Sequence, residues 1–193
     1  PAIVQVSLGI KKTFPDTPHT LNLPLREPLC VDNQTRHGRL EVEIFGAESG
    51  LCPAGCTVMT IRLQTRYEFW TGLKKTDPQR YRAEKKRVTQ EIIARLDQRF
   101  PGLAAQIERS DIATPATFVR YTGNWQGSYE GWLPTPRILG RRIPYTLARL
   151  KNFYMAGHWV VAGGGLPSAA LAGRYVAQMI CAQNGKAFVA TTP

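Results

Sequence analysis

Lys151 to Cys181, KNFYMAGHWVVAGGGLPSAALAGRYVAQMIC, constrains this chain more than any other stretch. It reads as a short buried strand over Asn152 to Ala156, ended by Gly157, then a tight loop through Gly163, Gly164 and Gly165, then a capped helix. Glycine reaches backbone conformations closed to other residues and lets a ligand approach the main chain closely. Pro167 suits the first helical turn, where a missing N–H costs nothing. Ala169, Ala170, Leu171 and Ala172, then Val176, Ala177, Met179 and Ile180, make a largely small apolar face that, with Gly173, suits close packing on a sheet. The helix start offers free N–H groups and a positive dipole end, a seat for something electron-rich or anionic. A tight strand-to-helix connection with no ligand fits the same spacing. A first dinucleotide-binding turn does not fit: Ser168 stands where the third glycine would be, and no Asp or Glu lies about 20 residues on to hold a ribose.

The chain has 193 residues, enough for one good core and part of a second domain. No apolar run reaches about 18 residues, so no membrane span is expected, nor is a signal peptide. Lys and Arg number 25 against 14 Asp and Glu, a formal charge of +11. The excess is uneven. Glu130 is the last acid, and Arg137, Arg141, Arg142, Arg149, Lys151, Arg174 and Lys186 follow it. Such a field attracts anions, whether a cofactor's phosphates, an anionic membrane surface or nucleic acid. The basic residues do not interleave with aromatics in a nucleic-acid motif, so no nucleic-acid partner is expected. Cys30, Cys52, Cys56 and Cys181 make no disulfide framework. Cys52 and Cys56 have near-metal spacing but no second pair follows, so no metal is expected. A reducing cytoplasm is the expected compartment.

The first two-thirds of the chain predict an α+β fold. Alternation predicts strands over Ala2–Ile10, Arg39–Phe45 and Cys56–Arg66, joined by turns into a mostly antiparallel or mixed sheet. Lys11 to Pro28 reads as irregular loop, with room for a short strand near Thr20 to Leu23. Pro78 to Phe100 predicts a helix packed on the sheet, N-capped by Asp77, with Val88, Ile92, Leu96 and Phe100 as its apolar ladder and Lys85, Lys86, Arg95 and Arg99 in water. Pro101 and Gly102 stop it. A helical turn, a strand over Ile107–Ile112 and a short helix from Pro115 should follow. In Gly123 to Trp132, Trp125, Tyr129 and Trp132 alternate with glycines, which suits a loop held by ring packing or one wall of an apolar pocket.

AGHWVVAGGGLPSAALAGRYVAQMI, with Phe100–Leu103, Thr114–Pro115 and Arg120–Trp132 upstream, resembles the C-terminal flavin-contacting part of phytoene dehydrogenase-like FAD-dependent oxidoreductases, a family that includes carotenoid desaturases and isomerases. The resemblance implies a substrate-domain part over 1–135, a connector over 136–150, the C-terminal segment of an FAD-binding domain over 151–183 and a tail over 184–193. It implies FAD as cofactor, held at Gly157, His158, Gly164, Gly165, Leu166 and Pro167, and a hydrophobic, polyene or isoprenoid substrate near Trp125, Tyr129, Trp132 and Trp159. Many members carry an acid where this chain has His158. The family's N-terminal glycine fingerprint is absent, so the chain is expected to be a fragment that needs an N-terminal FAD-binding half, inactive alone, with room for peripheral membrane contact. An amine or amino-acid oxidase and a non-catalytic basic binding module are the alternatives.

Overall fold

Alternation in five segments puts one apolar face on an antiparallel sheet. Its strands are β1 (Ala2–Ile10), β2 (Thr20–Cys30), β3 (Arg36–Phe45), β4 (Thr57–Thr65) and β5 (Ile107–Ala113), in the order β2-β3-β4-β1-β5. The computed structural model describes residues 2–133, 135–138 and 141–190, in two compact units, Pro1–Tyr129 and Glu130–Pro193. In the first unit Val6 of β1 faces Ile61 of β4, and Val42 of β3 faces the same Ile61. Leu8 and Ile44 flank Met59 in the same way. Period-two alternation sends all of these to one side, and all are buried.

Two helices cover that face: α1 (Tyr67–Thr76) and α2 (Pro78–Arg99). The Asp77 carboxylate accepts from the Arg80 N–H at 2.9 Å and caps α2, with Pro78 at its first position. Val88, Ile92, Leu96 and Phe100 all enter the core, as the ladder predicts. Lys86 and Arg99 face water, but Lys85 lies over the Tyr81 ring and Arg95 pairs with Glu91. A 3-10 turn at Ala104–Gln106 leads into β5, and α3 (Pro115–Thr122) follows with a capping box at Thr114.

Two elements depart from the sequence expectation. Lys11 to His19 is loop as expected, but the strand expected near Thr20 to Leu23 runs on to Cys30, making β2 eleven residues long. Pro24 is tolerated because β2 is an edge strand, and the ladder with β3 loses register between Pro24 and Leu29. The second is α1, which the sequence left unassigned. Its Trp70 is fully buried and donates its indole N–H to the Thr65 hydroxyl at 2.9 Å, so a tertiary contact holds this short helix.

The second unit holds α4 (Gly165–Gln183). Among its described residues there is no strand, so the strand expected at Asn152–Ala156 does not form. A strand exists through pairing, and Met155 donates only to the Tyr145 carbonyl, at 2.7 Å, while Asn152 turns into the left-handed region at φ 57°. Among the described residues of its own unit, the face of α4 expected to pack on a sheet has no strand beside it. Ala172 is buried, while Leu171, Tyr175, Met179 and Ile180 stay exposed. Pro134 of the expected substrate-domain part, Leu139 and Gly140 of the expected connector and 191–193 of the expected tail lie outside the described residues.

Candidate functional site

The glycine run turns the chain sharply into α4. Gly157, Gly163, Gly164 and Gly165 all have positive φ, 116°, 104°, 63° and 79°. These are conformations a side chain would strain, which is why glycine stands at each. Gly164 occupies the N-cap position of α4, and no side chain caps the helix start. The expected cap is therefore missing. Gly165 and Leu166 present main-chain N–H groups, Pro167 in the first turn has none, and Leu166 is 87 % exposed.

Space around the glycines differs. A Cβ at Gly157 or Gly163 would meet nothing within 4 Å, and one at Gly165 only the Pro167 ring at 3.8 Å. At Gly164 it would lie 2.6 Å from the Gly131 nitrogen. The approach expected for a ligand at Gly164 is thus taken on that side by the chain itself, whereas Gly163 and Gly165 are open.

His158 lies in this loop, and its Nε2 is buried without a hydrogen-bond partner among the described residues. The other histidines are satisfied: His19 donates Nδ1–H to the Ile44 carbonyl and His37 donates Nε2–H to the Gln64 carbonyl, each at 2.8 Å. A buried polar atom left unpaired costs free energy on the order of 1–3 kcal/mol, so the vacant nitrogen calls for a partner. The His158 ring lies tilted against Trp159 at 5.4 Å.

The four aromatic candidates fall in different places. Trp132 and Trp159 come together edge-on at 5.2 Å, and the Trp132 indole donates to the Trp159 carbonyl at 3.0 Å. Trp125 and Tyr129 belong to the first unit, where Trp125 is 64 % exposed. Contacts to the main chain fasten that loop: the Asn124 side-chain amide donates to the Ser128 carbonyl, Ser128 bridges to Ala2, and Gly127 lies against the Pro115 main chain. In the second unit, Arg141, Arg142, Tyr145, Val160, Val161 and Tyr175 line a cavity of about 520 Å³. Two of the cations that follow the last acid therefore meet the loop's apolar residues.

Gly163, Gly165 and the uncapped start of α4 leave room beside the main chain for an electron-rich or anionic group. Among the described residues no three His, Cys, Asp or Glu cluster to hold a metal, and no helix is long and apolar enough to cross a membrane. The sequence flagged the loop but missed Gly131, whose contact partners lie 27 and 33 residues on; its one visible signal was a glycine between Glu130 and Trp132.

Fold and site together define an α+β chain with a glycine-lined helix start suited to an electron-rich or anionic group. No family model matches it. It is 32 % identical over 142 residues to the chloroplastic prolycopene isomerases of Daucus carota and Arabidopsis thaliana, and 28 % identical to one from an Oncidium hybrid cultivar. Each match covers 72 % of this chain and 22–23 % of the relative, so the chain spans under a quarter of these proteins' length. The similarity supports kinship with the carotenoid isomerase and desaturase-related enzymes. Their names place these relatives in the chloroplast, where the sequence suggested cytoplasm for this chain.

Proposed function

We propose that this chain is part of an FAD-dependent enzyme that isomerises or desaturates a hydrophobic polyene of the prolycopene kind. The observation that carries the reading is His158 Nε2, buried beside the glycine loop and unpaired among the described residues, in a chain 32 % identical over 142 residues to a prolycopene isomerase. FAD would supply electron transfer with the conjugated substrate. The chain's own part is binding and orientation. Gly163 and Gly165 leave the main chain accessible, and the N–H groups and dipole at the start of α4 favour negative charge on the bound group. His158 offers one hydrogen bond, Gly157 allows the turn that brings it there, and Pro167 stiffens the first helical turn. Trp132 and Trp159 supply apolar surface for a polyene. A further FAD-binding segment bearing a strand and G-x-G-x-x-G is the required partner, because dinucleotide affinity is spread over both ends of the cofactor. The four free cysteines suit a reducing compartment, either cytoplasm or the chloroplast named for the relatives.

The test is to purify the protein that carries this chain, record its flavin absorbance, and incubate it with a cis-configured polyene under chromatographic analysis. A flavin band and a changed polyene are expected. A colourless protein that leaves the polyene unchanged overturns the proposal.

A further inference from the structure

Gly131 and Gly164 touch main chain to main chain. A Cβ on Gly131 would lie 2.1 Å from the His158 carbonyl oxygen and 3.4 Å from the Gly164 Cα. A Cβ on Gly164 would lie 2.6 Å from the Gly131 nitrogen and 3.0 Å from the Glu130 Cβ. Gly164 also needs glycine for its positive φ, but Gly131 is not among the positive-φ residues, so its missing side chain serves the contact alone.

The next residue adds two hydrogen bonds in opposite senses. The Gly163 N–H donates to the Trp132 carbonyl at 3.1 Å, and the Trp132 indole N–H donates to the Trp159 carbonyl at 3.0 Å. The first half of the loop is bonded at the Trp159 carbonyl and packed at the His158 carbonyl, and the second half is bonded at the Gly163 N–H and packed at Gly164. The Trp159 ring, edge-on to Trp132, in turn borders the His158 imidazole.

We propose that Glu130–Trp132 is a strap that sets the shape of the 157–165 loop, with Trp132 a positioning residue that fixes where the vacant His158 Nε2 points. One bonded carbonyl at Trp159, a close-packed carbonyl at His158 and a bonded amide at Gly163 leave the imidazole little freedom. The hydrogen bonds that join Trp132 to Trp159 and Gly163 do not use Nε2. This rests on the reading of the loop as a cofactor site, but the shape of the loop can be measured without cofactor.

The first measurement is amide hydrogen exchange by mass spectrometry on the chain itself. Gly131→Ala forces the strap and the His158 carbonyl apart, and peptides covering 157–165 should exchange at least tenfold faster, with peptides from 2–129 unchanged. Trp132→Ala should do the same. Trp132→Phe keeps a ring and the main-chain acceptor but loses the indole donor, and should fall between. Gly173→Ala, which meets nothing within 4 Å, should leave the loop as it was. Loop exchange unaltered in both Gly131→Ala and Trp132→Ala overturns the strap, whatever the cofactor. The second measurement is the FAD dissociation constant of the whole protein, expected to rise at least tenfold in Gly131→Ala and to recover partly in Trp132→Phe relative to Trp132→Ala. A loosened loop with unchanged FAD affinity overturns the positioning role. A wild-type protein that binds no FAD refutes the cofactor reading instead, and the exchange data then decide the strap alone.

Discussion

The Thr65 hydroxyl donates to the Asp32 carboxylate at 2.7 Å, joining the end of β4 to the turn before β3. The same carboxylate accepts from the main-chain N–H groups of Gln34, Thr35 and Arg66 at 2.6–2.8 Å. Burial opposes ionisation of Asp32, but the hydrogen bonds from Gln34, Thr65, Arg66 and Thr35 outweigh it and hold the carboxyl at about 2. The unfolded carboxyl titrates near 3.9. Its folded value is depressed, so its stabilisation is complete above pH of about 4 and is lost as pH falls towards 2. Asp32→Asn should lower stability by about 2 kcal/mol at pH 7 and flatten the acid limb of the stability curve. Denaturant melts at pH 7, 4 and 2.5 check this, and parallel acid limbs for both proteins would refute it.

The α2 ladder should carry much of the first unit's stability. Ile92→Ala removes a fully buried side chain and should cost about 2–5 kcal/mol. The exposed Arg82→Ala should stay within about 0.5 kcal/mol. Equal melting midpoints for the two variants would show that α2 does not pack as described.

At the start of α4, Gly165→Val places a branched side chain at φ 79°. No atom blocks it, so the strain is conformational, about 1–2 kcal/mol. In the whole protein this variant should lose flavin or bind it at a more negative reduction potential, read from its absorbance spectrum and a redox titration. Full flavin content and an unchanged potential would make the loop a simple connection.

The isolated chain should be colourless. It contains no strand followed by G-x-G-x-x-G, and one end of a dinucleotide supplies too little binding energy. A flavin absorbance band in the purified 193-residue chain would contradict this.

The charge of +11 should not make the chain a specific nucleic-acid binder. Binding to DNA or RNA should be no tighter than micromolar and should fade steeply with salt. A salt-sensitive complex well below micromolar would favour the basic binding module.

Local chemistry determined much of this protein. Alternation in β1, β3 and β4 and the capped, laddered α2 were legible because side-chain period and helix ends are properties of neighbours in sequence. The glycine loop was legible for the same reason, since positive φ is a demand made by the backbone itself. Only tertiary structure decided the rest. The strand legible near Thr20 to Leu23 ran on to Cys30 because β3 offered it a ladder, despite Pro24. Conversely, Asn152–Ala156 stayed irregular because no strand of its unit lies beside it to complete the hydrogen bonds. Gly131 could not be assigned a task from its neighbours, because what it accommodates is the main chain of residues 27 and 33 positions away. Pairing and close approach depend on what the folded chain brings alongside, and a residue's own sequence context carries no record of it.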